Sequence, residues 1–205
     1  MPASTNTSQR KLVLATSNPG KISEMRSILA DLDVAVLAGT DVPDWPSVEE
    51  DQPDLRGNAL KKAREWHRAT AIMALADDTA LEVPYLGGAP GVRSARYAGE
   101  DGDSDANITK LLFELRNATE SDRSARFRCV IAIVSADGEW CFEGICPGTI
   151  AAARAGEGGF GYDPVFVPDG FTESFAQIPT AAKNKISHRG IAVRAAADFL
   201  RGHLR

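Results

Sequence analysis

Two acidic clusters, Glu49-Glu50-Asp51 and Asp77-Asp78, are the residues of this chain best suited to divalent-metal chemistry. Magnesium prefers hard oxygen ligands, keeps several waters and couples naturally to a triphosphate. A carboxylate beside such an ion can also take the proton of a metal-bound water, making it the nucleophile that attacks phosphorus. Acidic pairs are most often solvated surface. Asp77-Asp78 departs from that expectation because an apolar stretch, residues 71–76, runs straight into it and predicts a strand ending there.

The segment Thr16-Ser17-Asn18-Pro19-Gly20-Lys21 lies where a strand hands over to a helix. Backbone N–H groups, the helix dipole and an ammonium converge there, which is what a phosphate needs. The plainer alternative is an N-cap by Ser17 or Asn18 with a solvated lysine. The spacing of a P-loop is absent. Residues 156–161 formally match Gly-x-Gly-x-x-Gly, but Pro164 follows and no helix pattern begins, so a dinucleotide fold is rejected. Gly158 to Pro164 reads instead as a rigid loop in which Phe160 or Tyr162 could stack on a base. Residues 183–189, with Lys183, Lys185, His188 and Arg189, place cationic groups just before the last helix, with Ser187 as its N-cap; a solvated basic turn is the alternative. Neither a His/Cys metal cluster nor a Gly-x-Ser-x-Gly elbow is present.

The elements that must hold these groups follow from periodicity. Residues 11–16 form a short buried strand, and Ile22, Met25, Leu29 and Leu32 mark one face of the next helix. Residues 34–37 suggest a second strand, 41–54 a Pro- and acid-rich loop, and 54–70 a helix. After a glycine-rich stretch, Ile108, Leu111, Leu112 and Leu115 mark another helix. Residues 125–135 and 139–146 form a hairpin around Asp137-Gly138, 148–154 a third strand, and 187–200 a closing helix. Without repeat or linker, the pattern is α/β with a mixed sheet.

Composition bounds the function. With 205 residues, 43% of them hydrophobic, the chain can bury a core unaided. Lys and Arg number 23 against 28 acids, which argues against a nucleic-acid partner. No stretch reaches the roughly 20 apolar residues of a membrane span, and residues 1–9 read as a loose polar tail rather than a signal peptide. Cys129, Cys141 and Cys146, odd in number, fit packing in a reducing compartment, hence a cytoplasmic protein.

Four segments in order, Thr-Ser-Asn-Pro-Gly-Lys at 16–21, Ala-Asp-Asp-Thr at 76–79, Gly-Gly-Phe-Gly-Tyr-Asp-Pro at 158–164 and Ile-Ser-His-Arg-Gly at 186–190, resemble the Ham1-like inosine triphosphate pyrophosphatase family. Residues 86–102 look like a further family block. The resemblance implies a long central mixed sheet flanked by helices, in two lobes with the active site in the cleft, and a homodimer. It implies conversion of ITP, dITP or XTP to the monophosphate and pyrophosphate with Mg²⁺. Carried over by position, Thr16, Ser17, Asn18, Pro19, Gly20 and Lys21 would hold the triphosphate, with Lys21 catalytic. Asp78 would be base and metal carboxylate, joined by Glu49 or Glu50. Thr79 would touch substrate, Phe160, Gly161, Tyr162 and Asp163 would frame base and sugar, and Lys183, His188 and Arg189 would complete the pocket. A 6-carbonyl accepts from Arg or His donors, whereas the adenine amino group does not. The chain departs from common bacterial members in Thr79-Ala80 for Ser-Gly and at residues 53–58, which leaves Glu49 against Glu50 open. A Maf-like pyrophosphatase lacks support because its Ser-x-Ser-Pro-Arg-Arg opening is missing, and a regulator without catalysis fits poorly with Asp78, Lys21 and Lys183 all present.

Overall fold

The computed structural model describes residues 10–42, 46–99 and 102–203; residues 1–9, where the polar tail was expected, lie outside them, as do parts of the loops at 43–45 and 100–101. The chain begins with β1 (Lys11–Leu14), α1 (Pro19–Leu29) and β2 (Ala35–Ala38). Then come α2 (Leu55–Thr70), β3 (Met73–Glu82), the short β4 (Pro90–Gly91) and α3 (Ser104–Glu114). The second half is β5 (Ser124–Ser135), β6 (Gly138–Ile150), β7 (Phe166–Pro168), α4 (Thr180–Ile186) and α5 (His188–His203). The strands make one mixed sheet in the order β2-β1-β3-β5-β6-β7, with β4 on β3. β1 is parallel to β2 and β3; all other pairings are antiparallel.

Helices cover both faces. On one, α1 and α5 bury Met25, Leu29, Val193 and Leu200 against Leu12, Leu14, Leu75 and Ile131. On the other, α2 lays Leu55, Ala59, Ala63 and Trp66 on Val13, Ala74, Ala76 and Val130. The first turn of α5 lies directly on β6 because position 144 is glycine: a Cβ there would stand 2.0 Å from the His188 carbonyl oxygen.

Several expectations are corrected. The strand before Asp77-Asp78 starts later, since Ala71 takes the left-handed cap of α2 (φ 55°), and it does not end at the acids but runs on to Glu82. Thr79, Ala80, Leu81 and Glu82 after the pair continue its antiparallel pairing with β5. Residues 148–154 are no third strand: β6 continues unbroken to Ile150, and β7 pairs with its end. The basic run at 183–189 is not a turn either; Lys183 sits in α4, and His188 and Arg189 open α5, all three buried. The burial of Lys183 and Arg189 is made possible by carboxylates that sequence spacing does not reveal.

Candidate active site

Strand alternation separates the two aspartates. Asp77 falls with Leu75, Thr79 and Leu81 on one face and Asp78 with Ala76 and Ala80 on the other. β1 pairs with β3 only as far as Leu14 opposite Leu75, and β4 joins β3 only at Leu81 and Glu82, so between them no strand covers that edge and the 16–21 turn fits in beside the acids.

Asp77 is buried at the centre of an ionic cluster. Lys21 Nζ lies 3.1 Å and Arg189 Nε 3.2 Å from its Oδ2. Burial alone would raise its pKa, but Lys21, Arg189 and Lys62 outweigh burial and hold it well below the usual carboxylate range. Arg189 also donates from Nη1 to Glu24 Oε2 at 2.6 Å and from Nη2 to Thr79 Oγ1 at 3.2 Å. Glu24 Oε1 pairs with Lys183 at 2.8 Å, and Lys183 reaches Asp163 Oδ2 at 2.5 Å. Those bonds use three of the five guanidinium N–H groups, leaving donors for a ligand.

This cluster floors a cavity of about 190 Å³ whose walls include Asn18, Lys21, Thr79, Phe127, Phe160, Gly161, Tyr162, Asp163, Lys183, His188 and Arg189. Phe160 lies under both cations, 5.0 Å from Lys183 Nζ and 5.3 Å from the Arg189 guanidinium carbon. Asp163 locks the loop by accepting from Phe160 N at 2.8 Å. Tyr162 lines the wall, and its hydroxyl donates to the Ser94 carbonyl at 2.9 Å, which ties two loops together. His188 stacks on Phe127 at 4.4 Å, and its Nδ1 has no hydrogen-bond partner among the described residues. Burial, then Arg189 and Lys183, push its pKa well below 6.5, so it is a neutral imidazole at pH 7. A neutral ring with an unpaired buried nitrogen is poised for a polar ligand edge.

Gly20 explains itself in the same cavity. A Cβ at that position would stand 2.5 Å from Phe160 Cδ1, so the ring could not lie where it does. Gly20→Ala is therefore expected to raise KM for a purine nucleotide several-fold with Tm almost unchanged, measured by steady-state kinetics and calorimetry. An unaltered KM would free Phe160 from any ligand role.

Asp78 faces α2. Asn58 Nδ2 donates to its Oδ2 at 3.1 Å, and Lys62 Nζ lies 3.5 Å from Oδ1 while also holding Glu50 Oε1. Burial raises the Asp78 pKa; Lys62 opposes the rise and Glu50 adds to it. Lys62 itself, though buried, is held charged by Asp78 and Glu50. A second cavity of about 260 Å³ opens here, lined by Thr16, Ser17, Lys21, Ser47, Glu50, Lys62 and Trp66. Lys21 thus borders both cavities.

Of the two glutamates, Glu50 joins Asp78 through Lys62, and Glu49 is exposed. A magnesium ion fits this donor set. Two carboxylates already held about one cation offer hard oxygens, and such an ion takes its remaining ligands from water and phosphate. No group of three or more His, Cys, Asp or Glu metal ligands occurs among the described residues.

At the 16–21 turn the two sequence readings merge. Asn18 is the N-cap of α1, accepting from Lys21 N at 3.1 Å, and Pro19 occupies the first turn without an N–H. The helix end therefore offers fewer free N–H groups than expected. Lys21 carries the charge, turned inward to Asp77 rather than into solvent.

Lys62, Asn58, Glu24 and Phe127 were not anticipated. A signal existed for the first two: positions 58 and 62 share the buried stripe of α2 with 55, 59, 63 and 66, and polar residues on a core-facing stripe demand a reason. Glu24 carried none, since it stands off the apolar face of α1.

The Ham1 family model matches residues 12–199. A dITP/XTP pyrophosphatase of Porphyromonas gingivalis is 47% identical over 93% of this chain and 97% of its own length. The solved Ham1 protein of Staphylococcus aureus superposes with a TM-score of 0.84 at 38% identity, covering 95% of this chain and 100% of that one. The HAM1 protein of Coxiella burnetii gives 0.85 at 37%, over 94% and 99%.

Proposed function

The chain belongs to the Ham1 family, and from that membership together with the geometry of its two cavities we propose that it hydrolyses non-canonical purine nucleoside triphosphates, ITP, dITP and XTP, to the monophosphate and pyrophosphate. The observation that carries this reading is Lys21, which stands between a cavity walled by Phe160, His188 and Arg189 and one lined by Glu50 and by Lys62, the partner of Asp78. A base in the first places its 5′ phosphates beside the second.

In this reading Phe160 supports the purine ring, and the 6-carbonyl accepts from spare donors of Arg189 or from His188. Lys21 and Lys62 take phosphate charge, with Thr16 and Ser17 supplying hydroxyls. Asp78, ionised, takes a proton from the attacking water as its oxygen bonds to the α-phosphorus. The α,β-bridging P–O bond breaks, and pyrophosphate carries the electron pair away. Mg²⁺ on Glu50 and Asp78 would neutralise phosphate charge and lower the pKa of the water it binds. The electrostatic set is preorganised, because each cation already faces its carboxylate before any ligand arrives.

We further propose a homodimer working in the cytoplasm. No described helix is long and apolar enough to cross a membrane. Pyrophosphate release over a panel of nucleotides tests the reading: ITP, dITP and XTP should turn over in the presence of Mg²⁺ and ATP should lag by orders of magnitude, about 10⁴-fold where a hydrogen-bonding site meets the wrong partner. Equal turnover of ATP and ITP would sink it.

A further inference from the structure

The turn Ser94–Arg96 lines one cavity and contacts Glu50, a wall residue of the other. Ser94 and Ala95 line the base-side wall. The next side chain, Arg96, reaches the metal-side loop, where Nη2 donates to the Glu50 carbonyl at 2.8 Å and Nη1 lies 3.8 Å from Glu50 Oε2. The turn is firmly held. Ser94 Oγ accepts from Leu81 N at 2.8 Å and donates to the Gly91 carbonyl at 2.6 Å. Asn107 of α3 donates to the Ala95 carbonyl at 3.0 Å and accepts from Ala98 N at 2.6 Å.

Glu50 is otherwise weakly placed. Its Oε1 is taken by Lys62, while Oε2 has Arg96 at 3.8 Å, beyond hydrogen-bond length, and no hydrogen-bond partner among the described residues, which leaves its lone pairs for a cation. The loop around it is attached by Asn58 to Gln52 N at 2.9 Å and by Lys61 to Asp51 at 2.8 Å, both on the far side of Glu50 from residues 46–49. Arg96 is the group that fixes the Glu50 backbone to the rigid wall. A planar fork suits this task, since it spans a carbonyl and a carboxylate at once where an ammonium would satisfy one.

We propose that Arg96 is a positioning residue: it sets Glu50 in register with the base-side wall, so that divalent-metal affinity depends on a side chain that does not itself hold the metal. This rests on the functional reading above. The test uses full-length Arg96→Ala and Arg96→Lys proteins, titrated with Mn²⁺ alone and followed by the paramagnetic resonance of free Mn²⁺, beside calorimetric Tm and turnover of ITP. Removing a group that orients a metal ligand costs about tenfold in metal affinity. Arg96→Ala should therefore bind Mn²⁺ about tenfold more weakly and need correspondingly more Mg²⁺ for half-maximal turnover. Its KM for ITP at saturating Mg²⁺ should hardly change, and Arg96→Lys should fall between. If Arg96→Ala folds poorly, Arg96→Lys at unchanged Tm decides on the same readout. Mn²⁺ affinity equal to wild type in a folded variant, or a loss seen only with a collapsed Tm, overturns the positioning role and leaves the functional reading standing. A wild-type protein that neither binds Mn²⁺ nor releases pyrophosphate overturns both.

Discussion

Asp78→Asn is expected to lower kcat by about 10³-fold, within the range typical of removing a positioned general base, while leaving the metal-free protein at least as stable as wild type. The two halves of that expectation share one cause. Burial raises the Asp78 pKa above the ordinary value of 3.8. A carboxylate whose folded pKa exceeds its unfolded one costs stability at any pH above the folded value, and the cost is relieved as pH falls through it. Replacing it by a neutral amide of the same shape removes that cost at neutral pH. Asn58 keeps an oxygen to donate to, and Lys62 keeps Glu50. Pyrophosphate release under saturating ITP and Mg²⁺ measures the first half, and calorimetry in a chelator the second. Full activity would remove Asp78 from the chemistry, and a large fall in Tm would show that its role is to hold α2 to the sheet.

Much of this site was legible because its motifs are local. The 16–21 turn needs only a strand, a helix and their junction, all of which residues 11–32 encode through their own periodicity. The same holds for the hairpin, where Asp137-Gly138 specifies the turn and the flanking apolar residues the arms. What was not legible is whatever depends on partners distant in sequence. Nothing near residue 189 indicates that Arg189 is buried, since the carboxylates that make this possible, Glu24 and Asp77, lie 165 and 112 residues away. Composition alone left a solvated turn as an equal alternative for that run. Similarly, the end of a strand was read at Asp77-Asp78 because charge usually terminates burial; here Lys21, Lys62 and Arg189 neutralise the pair and β3 passes straight through. The alternation of β3, not its termination, is what gives the adjacent acids different jobs.

Asp77→Asn, one residue away, should have the opposite consequence. Asp77 is the shared partner of Lys21 and Arg189 in the interior, and losing one member of a buried ion pair strands the charge left behind. Such changes cost about 3–5 kcal/mol. Arg189 retains Glu24, and Lys21 can reach the cavity, so the lower end, about 3 kcal/mol, is expected. For a domain of this size that is a fall in Tm of about 6–12 °C. The pH dependence fixes the interpretation. Because the folded pKa of Asp77 is depressed, its contribution is complete above the ordinary carboxylate value of 3.8 and is lost as pH falls through the folded value. The stability gap between wild type and Asp77→Asn should thus be constant from neutral pH down to about pH 5 and narrow below 4, as wild type approaches the protonated state that the variant mimics. Denaturant unfolding at stepped pH measures it. A gap that stays open in acid would mean that the asparagine disturbs packing rather than charge, and the ionic cluster would lose its place as the floor of the base-side cavity.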